Sequence, residues 1–246
     1  MKIRILGTNG WFDTAIANTV CILIETNECY IILDAGGGFH KAREYIKADR
    51  PVYLFISHLH LDHIIGLHTL PLFKVPQGID IYLPGGMAAP LKTFLDKPYT
   101  SSVDTLASPV RIHEIDTEKP PRLAVDFGQL CHWTLCYGYR FNLEGRIISY
   151  CTDTGICDEL RILAKDCDLL ITECSFKPGE DVSKTLHLNP EAAAEIAKEC
   201  GVKKLGLIHF DAGRYPALKD RALAEKTAVK IFPNTFAAFD GQEVKL

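Results

Sequence analysis

The sequence predicts an α/β fold in which two mixed sheets pack face to face and helices cover their outer faces. Each half of the 246-residue chain begins with a block of strand-like segments and continues with alternating strands and helices. No linker, repeat or low-complexity segment separates the halves, so we expect a single domain over residues 1–246. With 47% hydrophobic residues, the chain can fill a core of that size.

The first half is predicted to hold three strands, followed by alternating strands and helices. Residues 7–19, between the first two strands, form a loop long enough to reach a site elsewhere in the fold. We expect helices to end near residues 47, 73 and 95. The expected strands, which are rich in β-branched and aromatic residues, are Lys2–Leu6, Val20–Glu25, Tyr30–Leu33, Val52–Ile56 and Ile79–Leu83.

The second half begins after a polar, turn-rich segment at residues 99–109. Five consecutive strands are predicted there: Val110–Ile115, Leu123–Phe127, Leu130–Cys136, Tyr139–Leu143 and Arg146–Cys151. Helices and strands then alternate, and two short strands follow the last helix. The expected elements of this part are helix Cys157–Lys165, strand Leu169–Thr172, helix Pro190–Cys200, strand Leu205–His209 and helix Ala217–Lys230.

Charge and composition narrow the classes of partner. The net charge is −4 and the lysines and arginines are scattered, which argues against a broad surface that tracks nucleic acid. No apolar run approaches the roughly 18 residues of a membrane span, and the first residues resemble a strand rather than a signal peptide. The nine cysteines form no CxxC pair and are predicted to be reduced. We expect a cytoplasmic protein without a membrane or large nucleic acid as partner, and a homodimer stays open.

Metal donors are concentrated in residues 57–66, SHLHLDHIIG, directly after a predicted buried strand. His58 and His60 are alternate residues of an extended tip, so both can share one metal ion. The turn into the following helix directs Asp62 and His63 toward a neighbouring position. Imidazole and carboxylate ligands suit zinc, manganese or iron. Three of the nine histidines lie in this segment, which favours a metal site over a solvated polar loop.

Further donors are expected where other strands end. His132 lies in the predicted strand after Gly128, Asp153 in the turn CTDTG, and His209 at the end of a strand. Each alone is typical of a core histidine or of a turn, but together with the first segment they indicate one metal site. Asp34 ends the third strand, where it either accepts the distal N–H of a metal-bound histidine or forms a turn before glycine.

These residues and their order resemble the metallo-β-lactamase superfamily and, within it, the ribonuclease Z-like phosphodiesterases. The resemblance runs from LGTNG near the start to HFDAGRYP near the end. It implies an αββα sandwich, the metallo-β-lactamase fold, with a dinuclear metal centre of zinc or manganese in preference to iron. One ion is then held by His58, His60 and His132, the other by Asp62, His63 and His209, and Asp153 bridges the two.

Two positions separate the chain from other branches of that superfamily. The β-lactamases themselves have cysteine or serine where this sequence has Asp153, and the flavodiiron oxidoreductases have glutamate where it has His60. The resemblance therefore implies a hydrolase in which two ions share a hydroxide and neutralise a phosphoryl oxygen.

The same resemblance implies roles around the metal centre. Asp62 is expected to orient or deprotonate the attacking water, and His187, in a loop before a helix, to protonate the leaving group. Glu173 is a candidate for orienting His187, with an exposed acidic residue as the alternative. Arg214 and Tyr215 are candidates for contacting phosphate or base, with an ordinary loop as the alternative.

The expected substrate is a small phosphodiester, either nucleotide-like or a cyclic phosphate. True ribonuclease Z carries a long arm between the positions of His132 and Asp153, whereas only 20 residues separate them here. Compact enzymes such as phosphoribosyl cyclic phosphodiesterase are more similar in size, although their cysteine-rich zinc site has no counterpart here. The alternatives are a thioester or lactone hydrolase of the glyoxalase II or lactonase type, a ribonuclease acting on RNA ends, and a non-catalytic binding protein.

Overall fold

The computed structural model describes residues 1–246 as two central sheets that are covered on their outer faces by helical segments. The strands are, in chain order, β1 (Lys2–Gly7), β2 (Asn9–Gly10), β3 (Cys21–Glu25), β4 (Tyr30–Leu33), β5 (Val52–Phe55), β6 (Ile79–Leu83), β7 (Val110–Glu114), β8 (Val125–Gln129), β9 (Tyr137–Leu143), β10 (Arg146–Cys151), β11 (Leu169–Glu173), β12 (Leu205–Ile208), β13 (Phe210–Asp211), β14 (Thr235–Ala237) and β15 (Glu243–Val244). The α-helices are α1 (Leu61–Ile64), α2 (Ala88–Phe94), α3 (Asp158–Ala164), α4 (Pro190–Glu199) and α5 (Leu218–Val229), and 3-10 helices cover Gly37–Glu44, Ile65–Leu72 and Val103–Thr105.

Both large sheets are mixed, as predicted. The first has the order β15-β1-β3-β4-β5-β6-β7. Its strands from β4 to β7 are parallel, and its other pairs are antiparallel. The second has the order β14-β12-β11-β10-β9-β8, with parallel pairs from β14 to β10 and antiparallel pairs from β10 to β8. The two-residue strands β2 and β13 form a separate parallel pair.

Three hydrophobic clusters fill the spaces between the four layers. They contain 23, 23 and 21 buried residues, so the three interfaces between layers are of comparable size. Strand β3 contributes to two of them, because its side chains alternate between its faces. Ile22 and Ile24 face the other sheet, whereas Cys21 and Leu23 face the helical segments. Burial on both faces accounts for the continuous apolar sequence of this strand.

The carboxyl ends of the parallel strands determine where a site can form. In the first sheet, β4 and β5 are parallel and are followed by Asp34 and His58. In the second sheet, β10, β11 and β12 are parallel, and Asp153, Glu173 and His209 lie at their ends. Hydrogen bonds and short contacts join these residues or their neighbours across one edge of the sandwich. Residues far apart in the sequence are therefore neighbours at this edge.

The predicted strand at residues 130–136 is wrong, and His132 lies in a loop instead. Strands β8 and β9 form an antiparallel hairpin in which the last residue of β8 pairs with the first residue of β9. The N–H of Leu130 donates to the carbonyl of Cys136 (2.8 Å), so the residues between them must reverse the chain direction. Leu130 and Cys136 are both buried, which explains an apolar sequence in a segment that is not extended.

Two helices of the first half are tighter than predicted. The helix expected to end near residue 47 is the 3-10 helix Gly37–Glu44. The helix expected to end near residue 73 is a single α-helical turn, α1, which continues as a 3-10 helix containing Pro71. Proline lacks the N–H that would continue an α-helical ladder. The other helices begin and end within one residue of their predicted limits.

All nine cysteines are free thiols. Most pack as apolar side chains in the hydrophobic clusters, among them Cys21, Cys136, Cys151, Cys167 and Cys174. No helix of the structure combines the length and the apolar composition needed to cross a membrane.

Candidate metal centre

His58, His60 and His132 form one group of metal donors, here called the first triad. His58 follows strand β5, His60 occupies the N-cap position of α1, and His132 lies in the β8–β9 loop. Nε2 of His132 is 3.3 Å from Nδ1 of His60. Each member of the first triad and Asp153 offers one donor atom, and these four atoms lie within 4.8 Å of one another. Such spacing allows all four atoms to share a single ion.

Asp62, His63 and His209 form the second triad. Asp62 and His63 belong to the first turn of α1, and His209 follows strand β12. The Nε2 atoms of the two histidines are 3.1 Å apart. Oδ2 of Asp62 is 3.3 Å from Nε2 of His209 and 3.7 Å from Nε2 of His63. These three atoms also converge closely enough to hold one ion.

Asp153 lies between the two triads and presents one oxygen to each. Its Oδ1 is 3.3 Å from Nε2 of His63 and 3.0 Å from Nε2 of His209. Its Oδ2 is 3.8 Å from Nε2 of His58 and 3.7 Å from Nε2 of His132. A carboxylate in this position can bridge two ions held a few ångströms apart.

The hydrogen bonds around His58 leave its Nε2 atom free to bind a metal ion. The hydroxyl of Ser57 donates to Asp34 (2.8 Å), so in the 3.0 Å contact between Ser57 and His58 the ring Nδ1–H must be the donor. Nε2 of His58 therefore carries a lone pair, and it is buried without a hydrogen-bond partner. An unpaired buried nitrogen is costly, and a divalent ion would satisfy it. The imidazole and carboxylate donors thus fit divalent transition metals.

Asp34 supports the second triad from behind. It is fully buried and its Oδ2 accepts hydrogen bonds from His63 Nδ1–H (2.8 Å) and the Tyr150 hydroxyl (2.7 Å). The hydroxyl and the backbone N–H of Ser57 also donate to this carboxylate. A carboxylate behind a metal-binding histidine fixes the tautomer and orientation of the ring. Asp34 therefore lies where it can hold the ring of His63 in one orientation.

The backbone is strained at four residues of this centre. Trp11, Asp34, Asp153 and His209 have φ angles of 74°, 53°, 42° and 53°, in the left-handed region that residues with a Cβ rarely adopt. Such conformations cost free energy and persist only where the surrounding structure enforces them. Their concentration beside the candidate ligands is typical of a functional site.

The electrostatic environment favours a cation at the centre. Burial acts to lower the pKa of His63, but the charges of Asp153, Asp62 and Asp34 outweigh it and raise that pKa well above its usual value. The pKa of His209 is raised in the same way, chiefly by Asp153 against the effect of burial. Groups that favour a proton on these rings also favour a divalent ion there.

The first triad has a different electrostatic character. Burial and the neighbouring charge of His63 lower the pKa of His58 well below its usual value, although Asp153 acts in the opposite direction. Burial also lowers the pKa of His132 to about 4. Both rings are therefore neutral near pH 7 and offer lone pairs without losing a proton.

His187 and Glu173 form a hydrogen-bonded pair beside the centre. Nδ1–H of His187 donates to Oε1 of Glu173 (2.8 Å), and Glu173 is fully buried rather than exposed. The carboxylate also accepts from the N–H groups of Thr154 (2.6 Å) and Leu188 (3.2 Å). Burial acts to lower the pKa of His187, but the charge and hydrogen bond of Glu173 outweigh it and raise the pKa to about 9. Glu173 therefore favours the protonated form of His187.

A cavity of about 370 Å³ opens over the metal centre, which is within the size range of small-molecule sites. The lining residues are Trp11, His60, Leu61, Asp62, His132, Trp133, Asp153, His187 and His209.

The structure does not bring Arg214 and Tyr215 into this cavity. Tyr215 is only 1% exposed, and its hydroxyl donates to the carbonyl of Phe176. The guanidinium of Arg214 forms an ion pair with Glu180 and lies 4.3 Å above the ring of Phe176. Both side chains therefore have structural contacts that account for them.

Several supporting residues were not found from the sequence. Ser57 links Asp34 to His58, and its position directly before the histidine segment is the one signal that could have indicated it. Ser175 supports His209: its hydroxyl donates to the His209 carbonyl (3.1 Å) and lies 3.2 Å from Nδ1. Tyr150 reaches Asp34 from the other sheet, a contact that no local pattern reveals.

Comparisons with known proteins agree with this geometry. The family described as "Beta-lactamase superfamily domain" matches residues 30–210. Ribonuclease Z of Acaryochloris marina is 29% identical over 302 residues, covering 98% of this chain and 96% of the relative. The probable metallo-hydrolase YhfI of Bacillus subtilis is 27% identical over 219 residues, covering 85% of this chain and 87% of the relative.

Solved structures share the fold along its whole length. The crystal structure of YhfI aligns with a TM-score of 0.80 and 23% identity over 99% of both chains. The short form of human tRNase Z aligns with a TM-score of 0.77 and 22% identity, covering 100% of this chain and 99% of that one. The family match spans most of the chain, and both ligand triads lie within it or at its limit. The chain belongs to the beta-lactamase superfamily of metal-dependent hydrolases and has the metallo-β-lactamase fold.

Proposed function

We propose that this protein hydrolyses a phosphodiester bond in a small nucleotide-like or cyclic phosphate substrate, using two divalent ions, zinc or manganese in preference to iron. The observation that carries the proposal is the pair of His187 and Glu173, which lies beside the metal centre but outside both triads. A thiolate can leave without a proton, whereas the alkoxide that leaves a phosphodiester needs one. A protonated histidine held at the edge of the cavity supports the second kind of reaction.

The metal centre and Asp62 would act on the attacking water and on the phosphoryl group. Ions bound by the two triads would supply an activated water and neutralise charge on the phosphoryl oxygens. The N–H of Trp11 donates to Oδ2 of Asp62 (2.7 Å) and holds that carboxylate where it can orient or deprotonate the water. The water oxygen adds to phosphorus and the bond from phosphorus to the leaving oxygen breaks. A linear diester gives a phosphomonoester and an alcohol, and a cyclic phosphate gives one phosphomonoester that carries the freed hydroxyl.

His187 supplies the proton that the leaving oxygen needs. Glu173 accepts the Nδ1–H, so the transferable proton is the one on Nε2. The buried carboxylate fixes the ring and stabilises its charged form, which is why a pKa of about 9 suits a general acid at neutral pH.

The dimensions of the site support a small substrate. The alignment with Ribonuclease Z of A. marina extends over 302 residues, more than the 246 of this chain, so that relative carries segments without a counterpart here. A true ribonuclease Z would carry its arm in the interval that corresponds to residues 133–152. Here this interval contains only part of the β8–β9 loop and strands β9 and β10. The cavity itself is the size of a nucleotide rather than a groove along a polymer.

Parallel assays of two substrate classes test the proposal. The metal-loaded protein should hydrolyse bis(p-nitrophenyl) phosphate and should leave a panel of thioesters and lactones largely intact. Elemental analysis should find about two ions per chain in the active preparation. Thioester turnover without phosphodiester turnover would replace the proposal with a glyoxalase II-like or lactonase-like activity. Inactivity toward every ester would favour a non-catalytic binding protein.

His187→Ala separates proton transfer from metal binding. We expect unchanged metal content and a turnover lower by about 10²–10⁴ on an alkyl leaving group, the usual range for general acid catalysis. The loss should shrink for p-nitrophenolate, which needs little protonation. His68→Ala is the matched control, because His68 is an exposed histidine that does not line the cavity. An equal loss for both leaving groups, or loss of an ion, would remove His187 from the role of general acid.

A second candidate function is cleavage near an RNA end, which the similarity to Ribonuclease Z over 98% of this chain favours. A precursor transcript with a 3′ extension, assayed beside the small diester, distinguishes the two. We expect the small diester to be the better substrate. Efficient and site-specific cleavage of the transcript would reverse that order.

A further inference from the structure

Three large apolar side chains are exposed around the mouth of the metal cavity. Trp11, Leu61 and Trp133 are 72%, 62% and 81% exposed, and all three line the cavity. The chain contains only two tryptophans, and both lie here. Exposed apolar surface that is concentrated at a cavity mouth, rather than scattered, marks a place where a ligand binds.

Each tryptophan is held next to one ligand triad. The N–H of Trp11 donates to Asp62 of the second triad, and the left-handed φ of 74° at Trp11 is exceptional for a bulky residue. Trp133 directly follows His132 of the first triad, at the turn of the β8–β9 loop. The backbone is thus constrained at the reactive centre while the indoles stay in solvent.

The cavity offers no lysine or arginine to a second phosphate. None of its nine lining residues is a lysine or an arginine, and apart from His187 its histidines belong to the triads. Arg214 is the basic residue expected nearby, but its guanidinium is engaged by Glu180 and Asp211 and stacked on Phe176. Beyond the metal centre and His187, the exposed surface at the cavity mouth is therefore apolar and aromatic, without lysine or arginine.

We infer that Trp11 and Trp133 stack on a planar base of the substrate, which is then a diester with a single phosphate and a nucleobase. The inference rests on the proposed function, because the metal centre must hold the phosphate. Indole faces stack on any base and need no hydrogen-bond readout. Without lysine or arginine, and with His187 assigned to the leaving group, the cavity lacks the further contacts that a polyphosphate or an extended RNA backbone requires.

Indole fluorescence gives a direct readout of binding, since both tryptophans of the chain lie at the cavity mouth. Adenosine 5′-monophosphate should quench the emission of the metal-loaded protein in a saturable manner, and ribose 5-phosphate should not. Trp11→Phe and Trp133→Phe each leave one indole as a probe, and both variants should still respond. Equal responses to the two compounds, or no response to the adenine compound, would overturn the inference.

The competing occupant of this surface is a second copy of the chain. In that case the emission would shift with protein concentration, Trp133→Leu would yield a smaller species in light scattering, and the adenine compound would have no effect. This combination of results would also overturn the inference.

A matched pair of esters tests the same idea in catalysis. Thymidine 5′-(p-nitrophenyl phosphate) and ethyl p-nitrophenyl phosphate share a leaving group, and only the first carries a nucleoside with a base that can stack. Trp133→Leu should raise the ratio of the KM for the thymidine ester to the KM for the ethyl ester about tenfold or more. Tyr99→Leu is the control, because Tyr99 is 67% exposed but does not line the cavity.

The outcomes of this assay separate the two proposals. If neither ester is hydrolysed, the proposed function fails, and the fluorescence titration still decides the stacking. If both esters are hydrolysed and every variant keeps the parent ratio of KM values, the proposed function stands and the stacking inference is wrong.

Discussion

The first triad consists of three histidines and the second of one aspartate and two histidines, and the two are supported in different ways. In the second triad His63 and His209 are buried, and their outer nitrogens contact the buried oxygens of Asp34 and Ser175. In the first triad His60 is exposed, and Nδ1 of His132 has no hydrogen-bond partner. The second triad has both histidines enclosed by the sandwich, whereas the first encloses only His58 fully and presents His60 at the surface.

This difference suggests how the proposed dinuclear centre would divide its tasks. Enclosed ligands cannot move without disturbing the core, so the second triad is suited to hold an ion in a fixed position. His60 is exposed and can adjust more freely, so we expect the first triad to admit a substrate and to exchange its ion more readily. The following variants either remove this asymmetry or measure it.

Asp153→Ala should have the largest effect, because it removes the one residue that presents an oxygen to both triads. We expect the metal content to fall from about two ions per chain to nearly none, with loss of hydrolase activity. Elemental analysis after dialysis measures this result. Asp153→Asn retains the shape and removes the charge, and it should show an intermediate loss. Retention of one full ion in Asp153→Ala would show that the triads bind independently.

His209→Ala and His60→Ala compare the triads directly. His209→Ala should lower the metal content by about one ion. It should also destabilise the fold, because truncation of this buried side chain leaves a cavity. His60→Ala should lower the affinity for one ion with little change in unfolding, because the side chain is exposed. Metal titration and thermal melts of the chelated proteins measure both effects. Equal destabilisation by the two variants would contradict the division into enclosed and open triads.

Asp34→Asn tests the support behind the second triad. Loss of the charge that fixes His63 should weaken binding of one ion by about 10–100-fold, the usual effect of removing such a partner. Competition with a coloured chelator gives the two affinities separately. Tyr150→Phe is the matched control, since it removes only one of the hydrogen bonds to Asp34 and should have a smaller effect. A larger effect of Tyr150→Phe than of Asp34→Asn would contradict the role of the Asp34 carboxylate as the support of His63.

Asp168→Asn should have the smallest effect and leaves the metal centre untouched. This carboxylate lies at the other end of the second sheet, just before β11, where it accepts from the N–H of Ile147 and from Arg146 and Lys203. The hydrogen bond from Ile147 and the two cations lower its pKa to about 2. Because the folded pKa lies below the unfolded value, its stabilisation is complete above about pH 4 and is lost as the pH falls through 2.

We expect Asp168→Asn to lower the free energy of unfolding by about 1–2 kcal/mol at pH 7. The gap between variant and parent should narrow as the pH falls below 4. Urea unfolding of the two chelated proteins at several pH values measures it. If the difference in the free energy of unfolding widened at low pH, the folded state would not lower the pKa of Asp168.

The sequence predicted the parts of this site that depend on local order. The donors from His58 to His63 are contiguous, and Asp153 and His209 follow strands whose buried character is visible in their apolar runs. Parallel strands place such residues at one edge, so their convergence could be anticipated. The layered fold was predicted for the same reason, because its strands alternate with helices along the chain.

The remainder depends on tertiary contacts that have no local signature. The apolar run at residues 130–136 resembles a buried strand, but its outer residues are buried while the chain turns between them. The support from Tyr150 comes across the two sheets. Arg214 was a candidate for contacting the substrate, with an ordinary loop as the alternative, and its guanidinium forms an ion pair with Glu180. Spacing along the chain does not predict which partner a long side chain finds.

Each triad combines residues from both halves of the chain, and this has a mechanical consequence. Asp62 and His63 follow the first sheet, His209 follows the second, and the contact between the two histidines joins residues 146 positions apart. A bound ion would thus link the two sheets and close a long loop of the chain. Mass action then predicts that the melting temperature rises with free metal concentration. The supply of metal would then affect the resistance of the protein to proteolysis as well as its catalytic rate.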